Sequence, residues 1–140
     1  MTNFIYPRSP RETMCGWVYL PRFVDKIRLD LAGKLHTDYQ ANFTKGFDGA
    51  WLKAAGVTAE QMIEAVKNSI TDGQVADWVA KNVHKSDVEK AAFNNFVLNR
   101  GREGGEVAAR LNLRKKESGL EHRDDLQCFV DYIDADEKRI

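Results

Sequence analysis

Only two cysteines and three prolines occur among 140 residues, and neither Cys15 nor Cys128 belongs to a CxxC pair. A disulfide between them is possible but unneeded, and neither sits in the spacing of a zinc site. The two thiols read as reduced and mostly buried, since free cysteine packs as a small hydrophobe. Long apolar runs are also missing. The longest, Met14 to Leu20, contains Gly16 and stops at Pro21, far short of the ~20 residues that span a bilayer. No signal peptide is visible, so the expectation is a cytoplasmic protein with no membrane partner. Excess charge of one sign is absent too: Lys+Arg and Asp+Glu are both 21, for a formal net charge of zero. A dedicated nucleic-acid binder carries a basic excess or stripe, so no nucleic-acid partner is expected. Strict apolar–polar alternation is not sustained anywhere, which argues against a sheet.

What is present is a folded, helical composition. Hydrophobic residues make up 43% and charged residues 30%, and a chain of this length can bury a core without covalent staples. Three helix starts share one device. Thr58-Ala59-Glu60-Gln61, Thr71-Asp72-Gly73-Gln74 and Ser86-Asp87-Val88-Glu89 each place Ser or Thr three residues before Glu or Gln, the spacing of a capping box. Apolar faces follow at helical spacing: Met62, Ile63 and Val66; Val75, Trp78, Val79 and Val83; Val88, Ala92, Phe93, Phe96 and Val97. Upstream, Leu20, Val24, Ile27 and Leu31 share a face that ends near Gly33. A short helix carries Trp51 and Leu52 and stops at Gly56. Downstream, Gly101, Gly104 and Gly105 separate two helices, and a final helix is expected from about Asp124, with Leu126, Phe129, Val130 and Ile133 on one side.

The expected fold is therefore all-α. It is a single domain over residues 1–140, a compact orthogonal bundle of about seven short helices. One brief extended segment is conceivable near residues 39–43. Ser9-Pro10-Arg11-Glu12 reads as one further helix start, with Ser9 as cap, Pro10 in the first turn and Glu12 reaching back.

Metal and catalytic motifs are weak. His36, His84 and His122 sit in no ligand spacing, and Asp134-Ala135-Asp136 lacks the later Gly and Glu of a calcium loop. No cofactor or metal is expected. Arg100-Gly101-Arg102-Glu103-Gly104-Gly105 is Gly-rich but follows a helix and lacks the P-loop Lys, so it reads as a connection. Arg114-Lys115-Lys116 reads as a solvated helix face. Neither Cys15 nor Ser9 has a base placed beside it by any motif, so no catalytic residue is assigned.

The polar residues that stand out lie in the first third. Arg8 and Arg11 flank Ser9-Pro10, and Arg22, Asp25 and Arg28 follow at i, i+3 and i+6, with Tyr19 and Lys26 nearby. Arginine forks suit carboxylate or phosphate. The leading expectation is a non-enzymatic module that binds an anionic small molecule through Arg8, Arg11, Arg22 and Lys26. Trp17 and Tyr19 would form the wall, and Asp25 and Glu12 would orient the arginines. Trp17 and Tyr19 are equally compatible with the core, and the arginines with a surface salt-bridge ladder. A second reading is a protein-interaction or homo-oligomerisation unit. A third is a small enzyme using Asp25 or Glu12 as general base.

Arg8-Ser9-Pro10-Arg11-Glu12, Gly16, Leu20-Pro21-Arg22, Asp25-Lys26 and Arg28 form a fairly specific string. Gly119-Leu120, Arg123-Asp124-Asp125, Phe129 and Asp134-Ala135-Asp136-Glu137 extend it to the end of the chain. Together they resemble an uncharacterised bacterial family known only as a domain of unknown function. The resemblance implies one domain and no particular activity. It gives weight to Arg8, Arg11, Glu12, Arg22, Asp25 and Lys26 as a signature, either of a site or of a structural lock. Cys15 stands where the resemblance implies Gly or an aliphatic residue, which counts against a catalytic role.

Overall fold

A computed structural model describes residues 4–140. The chain opens in an irregular segment and a minimal hairpin, β1 (Thr13–Met14) and β2 (Trp17–Val18), paired antiparallel with Met14 opposite Trp17. Eight helices follow among the described residues: α1 (Leu20–Leu31), α2 (Thr37–Gln40), α3 (Gly46–Ala55), α4 (Ala59–Lys67), α5 (Asp72–Asn82), α6 (Asp87–Asn99), α7 (Gly105–Glu117) and α8 (Phe129–Asp136). The fold is an all-α bundle with one two-stranded hairpin attached.

Three local expectations are corrected. Ser9–Glu12 is a turn, closed by Glu12 N–H donating to the Ser9 carbonyl at 3.1 Å. Pro10 occupies its second position, where the fixed φ of proline suits a turn as well as a helix start. The hairpin that follows is set by Cys15-Gly16, both at positive φ (55° and 81°), the backbone of a two-residue hairpin turn. Residues 39–43 are not extended: α2 covers Thr37–Gln40 and turns follow. The last helix starts at Phe129 rather than Asp124, and Leu126 reaches the core from the preceding turns, 2% exposed.

The capping devices act as expected at α4 and α5. Thr58 and Thr71 each accept from the backbone N–H three residues on, and Gln61 and Gln74 reciprocate. Ser86 caps α6 through Glu89 N–H. Gly56 ends α3 at φ 75°, with Val57 N–H donating back to the Leu52 carbonyl, as in a Schellman ending.

α1 packs on α4 and the hairpin, and α6 packs on β2, α3 and α8. Their meeting point is aromatic. Trp17 contacts Trp51 and Phe93 edge-on at 5.9 and 5.5 Å between centroids, and Phe23 contacts Trp51 at 6.0 Å. Such pairs contribute about 0.5–1.5 kcal/mol each beyond burial. Trp17 is fully buried, so of its two expected roles the core is the one observed. The apolar face of α6 divides: Phe93 and Val97 are buried, whereas Val88 is 79% and Phe96 42% exposed. Among the described residues no helix is long and apolar enough to cross a membrane.

Candidate functional site

Each cation of the N-terminal cluster is met by a carboxylate from elsewhere in the chain. Arg8 donates to both Asp25 oxygens, at 2.9 and 3.0 Å, and to Asp72 at 2.8 Å. Arg28 shares Asp72 at 2.6 Å. Arg11 bridges Asp131 and Asp134 on α8 at 2.5 and 2.6 Å, and Ser9 Oγ donates to Asp134 as well. Asp134 is thereby tied into the packing of α8. Arg8 and Arg11 thus tie the opening segment to α1, α5 and α8. Asp25, clamped by Arg8, is engaged as an acceptor, and Glu12 is exposed.

Arg22 and Lys26 point elsewhere. Being four apart on α1, they share one face, and both are about 95% buried. Arg22 forms a two-pronged pair with Glu137 at 2.8 and 2.6 Å. Tyr39 Oη and Arg139 also donate to Glu137, at 2.7 and 2.6 Å. Burial pushes the Glu137 carboxyl up, but the donors around it, Arg22 first, outweigh burial and hold it below the ordinary Glu value. Lys26 Nζ donates to Asp48 at 2.8 Å, and the same fully buried carboxylate accepts from Tyr19 Oη at 2.5 Å and from Thr44 N–H at 2.9 Å. Burial, and then the charge of Asp48, lift the Tyr19 phenol well above its usual range. Tyr19 is therefore a fixed donor. Burial lowers Lys26 against the pull of Asp48.

These buried groups form part of the floor of a cleft of about 880 Å³, within the size range of small-molecule sites. Tyr19, Arg22 and Lys26 line it, whereas Arg8, Arg11, Trp17 and Asp25 do not. The walls are apolar and aromatic: Phe47 of α3, Phe96 of α6, and Phe129, Tyr132 and Ile133 of α8. Phe47 and Phe96 meet edge-on at 6.1 Å. Arg110 and Arg114, one turn apart on α7, line it with Arg100, as do the carboxylates of Asp38, Glu117, Asp136 and Glu137. Among the described residues neither Arg110 nor Arg114 has an ion-pair partner within 4.0 Å, while Arg100 pairs with Glu103. Lys26 also has capacity to spare: an ammonium carries three donors, and one is used, on Asp48.

Arg114-Lys115-Lys116 is accordingly not a uniform solvated face. Arg114 lines the cleft, the Lys115 residue is 6% exposed, and Lys116 is in solvent. Asp48, Glu137, Tyr39 and Arg110 were not legible as site residues from the sequence. They come from four different segments, and no motif joins them. The signal that existed was the i, i+4 spacing of Arg110 and Arg114. A second groove, about 540 Å³ between α4 and α5, is lined mainly by polar side chains, and Gln61 and Gln74 are committed to the caps. Among the described residues no three His, Cys, Asp or Glu side chains gather as a metal site. Both cysteines are free.

A family model described as a domain of unknown function, DUF5069, matches residues 5–139. The chain belongs to the DUF5069 family. In this DUF5069 chain the match covers all eight helices and every residue lining the cleft except Phe4. No curated protein matches it.

Proposed function

We propose that the cleft beside α1, α7 and α8 binds a small anionic molecule, and that the protein acts as a binding module. The observation that carries this is a set of cations with donors to spare around one concave surface: buried Lys26 on the floor, and Arg110 and Arg114 on the wall. A buried ammonium with unused donors gains from an acceptor that enters the site. Arg8 and Arg11 remain outside this reading, because their donors are spent on Asp25, Asp72, Asp131 and Asp134.

A thermal-shift panel of carboxylates, inorganic phosphate and nucleotides tests the proposal. At about 100-fold over its dissociation constant a ligand adds about 2.7 kcal/mol. For a chain of this size that is a rise of roughly 9 °C. The rise should vanish in the Arg110→Ala/Arg114→Ala double variant and persist in Arg11→Ala. A panel in which no anion shifts the wild type, or in which the shift survives the double variant, sinks the proposal.

A further inference from the structure

The cleft's aromatic wall and its charge count specify the ligand further. Phe96, in the last turn of α6, is 42% exposed although it is large and apolar. Its ring lines the cleft edge-on to Phe47, and the Arg100 guanidinium lies 5.4 Å from the ring centroid. Phe129, Tyr132 and Ile133 of α8 add further apolar lining. An exposed aromatic in a concave site offers a surface to a second flat ring.

The charges limit what that ring can carry. Five cations line the cleft, Arg22, Lys26, Arg100, Arg110 and Arg114, against the four carboxylates of Asp38, Glu117, Asp136 and Glu137. Three of the five cations have a carboxylate of their own, Arg22 on Glu137, Lys26 on Asp48 and Arg100 on Glu103, which leaves the Arg110 and Arg114 pair to meet a ligand. Partial burial first, and then the neighbouring charges of Glu137 and Asp38, push the Asp136 carboxyl up. A single carboxylate offers this pair two acceptor oxygens, whereas a polyphosphate would also bring several negative charges towards Asp38, Glu117 and Asp136.

We infer that the ligand is an aromatic monocarboxylate, its ring against Phe96 and Phe47 and its carboxylate held by Arg110 and Arg114. The inference rests on the cleft being the anion site proposed above. It adds the ring and the single charge.

Calorimetric titration of the full chain with four probes tests it: 1-naphthoate, its neutral analogue 1-naphthalenemethanol, inorganic phosphate and ATP. Naphthoate should bind, with about tenfold weaker affinity in Arg110→Ala and a comparable loss in Phe96→Ala. Phe96 is partly exposed, so its truncation leaves the core intact, and circular dichroism of both variants verifies the fold. The neutral analogue and phosphate should each bind at least about tenfold more weakly than naphthoate, because each lacks one half of the recognition. Phosphate or ATP binding as tightly as naphthoate, with Phe96→Ala silent, overturns the ring and single-charge assignment but leaves the anion site standing. Failure of all three anions to bind, or binding unchanged in Arg110→Ala/Arg114→Ala, overturns both.

Discussion

Replacing Glu137 with Gln removes the charge against which Arg22 is locked while keeping the side chain's bulk. The two side chains are 5% and 3% exposed, so neither has water to turn to. In the wild type both guanidinium prongs end on carboxylate oxygens. With Gln there, one prong meets an amide nitrogen, and a buried arginine is left uncompensated. Breaking a buried pair from one side costs about 3–5 kcal/mol. Unfolding entropy of about 2.1 cal/mol/K per residue gives a chain of 140 residues roughly 0.3 kcal/mol/K, so the melting temperature should fall by about 10–17 °C. Urea unfolding at neutral pH, followed by circular dichroism, measures the loss directly. The acid limb supplies a second readout. Glu137 is held below its ordinary value of 4.5. A carboxyl depressed in the folded state stabilises above its unfolded pKa and loses that contribution as pH falls through the folded one. Wild-type stability should therefore drop below about pH 4.5, and the variant should lack the Glu137 share of that drop. A loss under about 1 kcal/mol at neutral pH, the scale of an exposed pair, would refute the claim that this pair locks α1 to the end of α8.

Gly101 sits at φ 110°, and a Cβ there would lie 3.1 Å from both Cys128 Cα and Leu111 Cδ2; Gly101→Ala should cost about 2–3 kcal/mol by chemical denaturation. Thr58→Ala and Thr71→Ala should each cost about 1 kcal/mol and add in the double variant, because each removes one separate capping box. Arg11 is 42% exposed in its side chain but its partners Asp131 and Asp134 are only 14% and 6% exposed, so Arg11→Ala should lower stability by about 1–3 kcal/mol, between an exposed and a buried pair. It should leave titration of the cleft unchanged, whereas Arg114→Ala should do the reverse.

The sequence carried the parts of this fold that local chemistry decides. Thr58-x-x-Gln61 and Thr71-x-x-Gln74 mark helix starts because their hydrogen bonds close within four residues. Gly56 and Gly33 mark helix ends because only their backbone needs positive φ there. Ser9-Pro10 misled because proline's fixed φ satisfies a turn and a first helical turn alike. The deciding group was Cys15-Gly16 downstream, whose positive φ angles fold the chain back before a helix can grow. At the final helix, Leu126 fits the amphipathic period and is buried, yet it packs from a turn. Periodicity reports burial and not backbone state.

The site was half legible for a related reason. Arg22 and Lys26 share a helix face, which spacing reveals, and both reach the cleft. Arg8 and Arg11 share only a neighbourhood in sequence. Beyond Asp25, 17 residues from Arg8, their partners Asp72, Asp131 and Asp134 lie 64 residues or more away. Whether a cation is spent or available depends on those distant acids, and no local pattern encodes that. Arg110 and Arg114 were unremarkable in sequence because availability is a property of what is not near them.

The pairing of Arg22 with Glu137 also sets a schedule. Their separation is 115 residues, and a ribosome adds about 5–20 residues per second. During synthesis α1 therefore waits roughly 6–23 s for the carboxylate that neutralises its buried arginine. Arg11 waits as long for Asp131 and Asp134. Helices α3 to α6 emerge in that interval, and they can gather around Trp17 and Trp51 before the floor of the cleft is electrically closed. An aromatic core can thus assemble while Arg22 still lacks its carboxylate, until Glu137 follows α8.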